Sequence, residues 1–489
     1  MREDVAKFTS SIKDDIRLLS AVVAINKAHV IMLTEQKIIT KADGAKLLAA
    51  LAKNSDMKLD PSAEDVHMAV EEAVLADTGP EVGGNLHIAK SRNDQVATAI
   101  RMALRNELLS LMRSVAHTQE HMAETAEEHV NTVILEYTHL QPAQPVTFAH
   151  YLLSYVDGLE RDLQRLQSAY ARVNLCPLGA GALATTSFPI NRDRTAELLG
   201  FKGLVENSID AVGSRDFVTE TLAALTLIAV NLSRLAEDLI IWSSPDFGVV
   251  ELPDEFTSTS SIMPQKKNPE VLEVIRARAS YLLGNFVAAT AGVKSLPSTY
   301  NLDFQEITPK LWESIDSVRA SLDMLHKLIP KLKVTADVSG KASASFVAAT
   351  ELANVLVRKY NLPFRAAHKI VGALVKSLVD SKLTFANATP KLLQKAAEDA
   401  AGIKLSVEAE DFAALLNPLK LVKSHSVKGG PAPAEVKRAL VAREKQLLLT
   451  KSNISKMDKE LEEAEKKLDS TVEQFTTNLR RSATFKNST

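Results

Sequence analysis

Val96–Val115 reads VATAIRMALRNELLSLMRSV, and within it Val96, Ala99, Ile100, Ala103, Leu104, Leu108, Leu111 and Val115 recur at steps of three and four. That spacing lays the apolar side chains along one stripe of an α-helix. Downstream, Leu152, Tyr155, Val156, Leu159, Leu163 and Leu166 repeat the pattern. The segments Phe217–Trp242 and Glu273–Val293 are apolar on more than one face, as helices enclosed by other helices are, and they predict the centre of a bundle. Gly and Pro gather between these segments, at 78–84, 177–189, 245–269, 297–309 and 428–433. No alternating apolar run is long enough to demand a major sheet, so the fold class reads as all-α.

From about Pro433 onward, Met457, Leu461, Ala464, Leu468, Val472, Phe475 and Leu479 alternate in steps of three and four. This is a heptad stripe, and it predicts a long C-terminal helix packed on a partner helix.

A chain of 489 residues exceeds what one ordinary core holds, so two or three domains are expected. Lys and Arg total 58 against 60 Asp and Glu, a formal net charge of -2. Such a balance sets up no global field for nucleic acid or anionic lipid, and anion binding must be local. The single cysteine, Cys176, lies between Leu175 and Pro177 and reads as a small buried side chain in a reducing, cytoplasmic protein. The charged opening MREDVAKFTSSIKDDIRLL and the lack of an uncharged run of roughly 18 to 20 apolar residues predict neither secretion nor membrane insertion.

The chemically suggestive residues fall in or beside the loops. The densest stretch is Ser260-Ser261-Ile262-Met263-Pro264-Gln265-Lys266-Lys267-Asn268-Pro269-Glu270, a polar loop feeding a helix. Asn268 is a candidate N-cap, with Pro269 at the first helical position. Hydroxyls, ammonium groups and unpaired helix N–H groups together suit a carboxylate or a developing oxyanion. As composition alone, the same residues make an ordinary capped loop.

As a string, the loop resembles the signature of the fumarase, aspartase and argininosuccinate lyase superfamily: a serine pair, Met-Pro, then lysine and asparagine at these spacings. Four further segments are similar to the argininosuccinate lyase branch: Gly84–Gln95 (GNLHIAKSRNDQ), Tyr137–Tyr151 (YTHLQPAQPVTFAHY), Leu178–Pro189 (LGAGALATTSFP) and Asn207–Phe217 (NSIDAVGSRDF). The resemblance runs in order from about Phe8 to GGPAP at 429–433.

That resemblance implies reversible β-elimination of argininosuccinate to arginine and fumarate, in arginine biosynthesis, without a cofactor or metal. Ser260 takes the role of general base on the succinyl carbon beside a carboxylate. Its alkoxide needs nearby positive charge, for which Lys266 and loop N–H groups are the candidates. Lys266 and Asn268 then stabilise the carbanion. His139 is the acid-side residue for the departing nitrogen, with Glu273 orienting its imidazole. Ser91, Arg92, Asn93, Thr138 and Arg215 correspond to carboxylate contacts, and Tyr300 and Gln305 to contacts with the arginine half. The family layout implies an N-terminal helical domain over 1–91, a central bundle over 92–340 and a C-terminal helical domain over 341–489. Four chains associate through the central helices, with active sites shared between subunits.

Three departures stand out. Thr259 replaces a glycine many members carry before the serine pair. Thr308 stands where many carry a lysine, with Lys310 beyond Pro309. Around Ser10, Ser11 and Asp15 the glycine-rich lead-in is missing.

Rival readings exist. His117-Thr118-Gln119-Glu120-His121 fits the H-x-x-E-H pattern of a zinc peptidase, with Glu124 or His129 as third ligand. So short a pattern recurs by chance, and the acidic face around it is more simply solvated. A crystallin-like structural protein is a second rival, disfavoured by the intact Ser260, Lys266, Asn268 and His139. A sister lyase releasing fumarate from adenylosuccinate is a third. The SRNDQ string, Tyr300 and Gln305 favour argininosuccinate.

Overall fold

The computed structural model describes residues 2–335, 340–342, 345–415 and 417–486. Near the N-terminus, α1 (Leu19–Glu35), α2 (Lys41–Lys53) and α3 (Val66–Thr78) pack on one another. Together with the turn before it, α1 is apolar enough to cross a membrane by length and composition, yet 67% of that apolar window is buried inside the protein. It is a core helix.

The bundle follows. Its first member, α4 (Arg92–Glu128), runs 37 residues, about 55 Å at 1.5 Å per residue. Ser91 starts it with a capping box: the Ser91 hydroxyl accepts from the first turn while Asp94 accepts from the Ser91 N–H. The remaining members are α5 (Phe148–Val173), α6 (Asp216–Ser243), α7 (Glu270–Val293) and α8 (Asp303–Leu328). The stripe read from Val96 to Val115 is buried at Ala99, Ile100, Leu104, Leu108, Leu111 and Val115.

Beyond them, α9 (Ala349–Tyr360), α10 (Phe364–Asp380) and α11 (Pro390–Ala401) enclose a separate small core around Leu352, Ile370, Leu374, Phe385 and Leu393. The last helix, α12 (Pro433–Lys486), does not share it. Its stripe, with Leu468 and Val472 buried and Met457, Leu461 and Phe475 half-buried, belongs to the main core. Arg443 pairs with Asp157 of α5 at 2.6 Å and Lys27 of α1 with Asp469 at 3.2 Å. Gly200 fits this contact because it has φ +71° and a Cβ there would stand 2.8 Å from the Ala464 Cβ. The heptad helix therefore finds its partners within its own chain, and grouping 341–489 as one unit separates α12 from the core it completes. The Leu479 side chain and the segment 336–339 lie outside the described residues.

Among the described residues, sheet is confined to three antiparallel pairs: β1 (Val133–Thr138) with β2 (Gln141–Thr147), β3 (Val250–Glu251) with β6 (Lys333–Val334), and β4 (Ser258–Thr259) with β5 (Lys267–Asn268). Two of them carry candidate catalytic residues, and neither hairpin is anticipated by the all-helical reading.

Candidate active site

A cavity of about 430 Å³ opens between the N-terminal segment, the start of α4 and the start of α8. Arg92, Asn93, Arg215, Tyr300 and Gln305 all line it, so five of the predicted substrate contacts meet in one chain. The scaffold explains why. Asp94, fully buried, accepts from the backbone N–H groups of Gly179 (3.0 Å) and Gly181 (2.8 Å), and Asn93 donates to the Ala182 carbonyl at 3.1 Å. These bonds tie the SRND segment to the LGAGALATTSFP loop. Burial pushes the Asp94 carboxyl up, against the opposing pull of those N–H groups. Behind it, buried Lys90 donates to the Asn26 side chain, and burial brings its ammonium down to about 7.

Arg215 is the most telling residue. It is only 2% exposed and packs its guanidinium over the Phe304 ring, 4.6 Å from the centroid. One terminal nitrogen donates to the carbonyls of Ser214 (2.8 Å) and Val212 (3.3 Å), while Nε and Nη2 have no partner. Burial brings its pKa down to about 10, which leaves it cationic at neutral pH. A buried, half-satisfied cation on a cavity wall is costly unless an anion binds it.

Acidic groups line the same cavity. Asp15 is buried, accepts from Ser11 Oγ at 2.7 Å and from the Val66 N–H at 3.3 Å, and is pushed up to about 6, chiefly by burial and also by Asp65 and Asp14. Gln305 donates to the Thr9 carbonyl at 2.8 Å, closing the cavity between the N-terminus and α8. Ser11, Asp14, Asp15, Asp65 and His67 are lining residues that sequence reasoning left unassigned. The acidic string around Asp14 and the EDVH segment were the available signals, but charges near a helix start ordinarily read as solvated caps.

Two predicted contacts lie elsewhere. Ser91 spends its hydroxyl on the helix cap, accepting from the Asn93 N–H at 3.3 Å. Thr138 is exposed at the end of β1. Thr308 lines the cavity, its hydroxyl donating to the Phe304 carbonyl at 3.3 Å.

The catalytic candidates are also outside the cavity. His139 and Leu140 form the two-residue loop of the β1–β2 hairpin, with φ of +55° and +56°. Both central residues left-handed is the type I′ geometry usually left to Asn and Gly, so the turn holds two side chains under strain and thrusts His139 into solvent. In the signature loop, Ser260 Oγ accepts from the N–H groups of Ile262 (3.3 Å) and Met263 (3.1 Å). The cap expected at Asn268 is absent. Asn268 is extended in β5, its amide donating to Ser258 Oγ at 3.4 Å, and Pro269 takes the N-cap position of α7. The backbone pairing of β4 with β5 holds Asn268 out of the helix. Thr259, extended within β4, needs no positive φ. Lys266 and Glu273 are exposed, and Ser260 is half-buried.

The zinc pattern resolves differently. His121 Nδ1 bonds the His117 carbonyl at 2.9 Å, and among the described residues no group of three His, Cys, Asp or Glu is arranged to hold a metal.

Long buried helices, a cavity walled by a buried arginine without an acid partner, and a serine-bearing loop at the head of a bundle helix fit a helical lyase of the fumarase/aspartase type. Residues 3–284 match the lyase family model, and residues 346–423 match the model for the argininosuccinate lyase C-terminal region. Argininosuccinate lyase of Methanocaldococcus jannaschii is 43% identical over 479 residues, covering 97% of this chain and 96% of that one. Argininosuccinate lyase of Methanosarcina barkeri is 41% identical over 477 residues, with coverages of 97% and 96%. Among solved structures, EDDS lyase in complex with formate superposes with a TM-score of 0.89 at 33% identity, covering 95% of this chain and 93% of that one. A class II fumarase from Schistosoma mansoni shares the fold, with a TM-score of 0.72 at 16% identity, covering 87% and 96%. The chain belongs to the argininosuccinate lyase family.

Proposed function

We propose that the chain catalyses the reversible elimination of argininosuccinate to arginine and fumarate, as a cytoplasmic homotetramer without a cofactor. The observation that carries this reading is Arg215, an unpaired buried cation set among Arg92, Asn93, Tyr300 and Gln305 in a chain of this family.

Arg215 and Asn93 hold the succinyl carboxylates. Ser260 removes the proton from the carbon beside one of them. The N–H groups of Ile262 and Met263 already point at its oxygen and favour the alkoxide. Charge developing in the carboxylate is met by Lys266 and Asn268. The carbon–nitrogen bond then breaks, its electrons leave with the guanidino nitrogen, and His139 returns a proton there directly or through water, oriented by Glu273.

In this reading the segments around Asn93, His139 and Ser260 come from different subunits and converge at a shared site. In support, α6 and α7 leave Leu227, Val230, Tyr281, Leu283 and Val287 exposed, Leu283 at 52% and Tyr281 at 67%. Apolar helix faces of this kind are covered in an assembly. We further propose a division into an N-terminal helical part, a central bundle and a small C-terminal part, with α12 returning to the bundle.

The test is fumarate release from argininosuccinate, followed by ultraviolet absorbance with chelator present, alongside Ser260→Ala. Chelator-resistant release that disappears in the variant supports both substrate and base. Activity on adenylosuccinate alone moves the chain to the sister lyases.

A further inference from the structure

The cavity lining carries more unpaired carboxylates than cations. Asp14, Asp15, Glu64 and Glu306 line it, and among the described residues none of the four pairs with a cation. Asp65 lines it too, but it is neutralised by Arg92 and caps α3 by accepting from the Met68 N–H at 2.7 Å. The described lining contains no lysine, and Arg215 is its one arginine without an acid partner. Within α8, Pro309 has no N–H to give the Gln305 carbonyl, so a backbone acceptor is freed where both residues line the cavity.

Once Arg215 has taken a carboxylate of the succinyl half, the amine half meets carboxylates and a carbonyl. That surface attracts guanidinium and ammonium groups and repels a carboxylate. Thr308 contributes only a hydroxyl, already donated to Phe304. The amino-acid carboxylate of arginine therefore has no cation to meet in this lining.

We propose that the site also takes cationic amines that lack a carboxylate, adding them to fumarate and releasing them from the corresponding N-succinyl adducts. This rests on the lyase reading above and extends its substrate class. The step balances without a co-reactant. In the addition direction, the nitrogen lone pair forms a bond to one alkene carbon, a proton goes to the other carbon, and nitrogen loses one proton.

The probe is 4-guanidinobutylamine, which is arginine without its carboxylate. The wild-type protein is given fumarate with either compound, and fumarate consumption is followed by absorbance, with the adduct identified by proton NMR. The expected result is a kcat/KM for the decarboxylated amine within about tenfold of arginine, a difference of about 1.4 kcal/mol or less. Arginine consumed while the decarboxylated amine reacts more than about a thousandfold slower overturns the proposal and leaves the lyase reading intact. Consumption of neither overturns both. In a second arm, exposed Glu306 is changed to Gln. The KM for the decarboxylated amine is expected to rise several-fold at unchanged kcat, and an unchanged KM removes the acidic lining as the cause.

Discussion

The cavity and the catalytic loops are built on opposite plans. Around Arg92, Asn93 and Arg215 the side chains are half-buried or, for Arg215, buried, and each is bonded to protein groups, with buried Asp94 tying two segments together. Around His139 and Ser260 the backbone turns are defined, but His139 faces solvent and half-buried Ser260 is held only by N–H groups of its own loop. Preorganising a substrate pocket needs only the chain's own core. Catalytic groups carried on exposed hairpins acquire a dry, charged environment only when another surface closes on them.

The sharpest way to break this contrast is Ser260→Ala. It is expected to lower kcat by about a thousandfold or more while leaving the melting temperature nearly unchanged, because the hydroxyl contacts only loop N–H groups. A large loss of stability would mean the loop is structural in the free chain. Mixing this variant with an inactive Arg215 variant is expected to restore activity after subunit exchange, since each supplies the group the other lacks. Failure to restore activity places both groups in one subunit's site.

Arg215→Met should separate function from stability in the cavity. Losing the carboxylate contact is expected to lower kcat/KM by about a hundredfold. Removing a buried cation with half its donors unmet is expected to leave stability unchanged or raise it by about 1 kcal/mol, read from thermal or urea unfolding. A strongly destabilised variant would show that the guanidinium holds the wall together.

A smaller effect comes from Asp15. Its carboxyl is raised from 3.8 to about 6, so it is neutral below that range and anionic above it. The KM for a cationic amine is therefore expected to fall as pH rises through 6, and Asp15→Asn should flatten that profile. The stability sign is opposite. A raised folded-state pKa favours the protonated form, so Asp15 contributes most below 3.8 and its contribution is lost as pH climbs through 6. Asp15→Asn is thus expected to melt higher than wild type at pH 8 and not at pH 4.

The smallest effect belongs to the hairpin. Leu140 holds φ +56° without glycine's freedom, so Leu140→Gly should stabilise by up to about 1 kcal/mol in a melting experiment. A loss of stability there would indicate that the Leu140 side chain packs on something the isolated chain lacks.

Much of this was legible beforehand. Periodicity from Val96 to Val115 needs only local geometry, and buried helices obey it closely. The family strings brought Arg92, Asn93, Arg215, Tyr300 and Gln305 forward, and the fold gathers those five. Less legible were the hairpins under His139 and Asn268, because the β1 and β2 strands are short and β2 carries prolines at 142 and 145. The partner of the heptad stripe was also hidden, since a stripe states that a partner exists and not which helix it is.

By itself the sequence determined the helices, the order of the elements and the family, because these follow from spacing and from strings too long to recur by chance. Only the tertiary structure decided that α12 folds back onto its own chain, that Ser91 caps a helix, and that unpaired carboxylates share a cavity with Arg215. Each of these depends on groups distant in the chain coming within a few ångströms, where burial and charge act on one another. No local pattern encodes that distance.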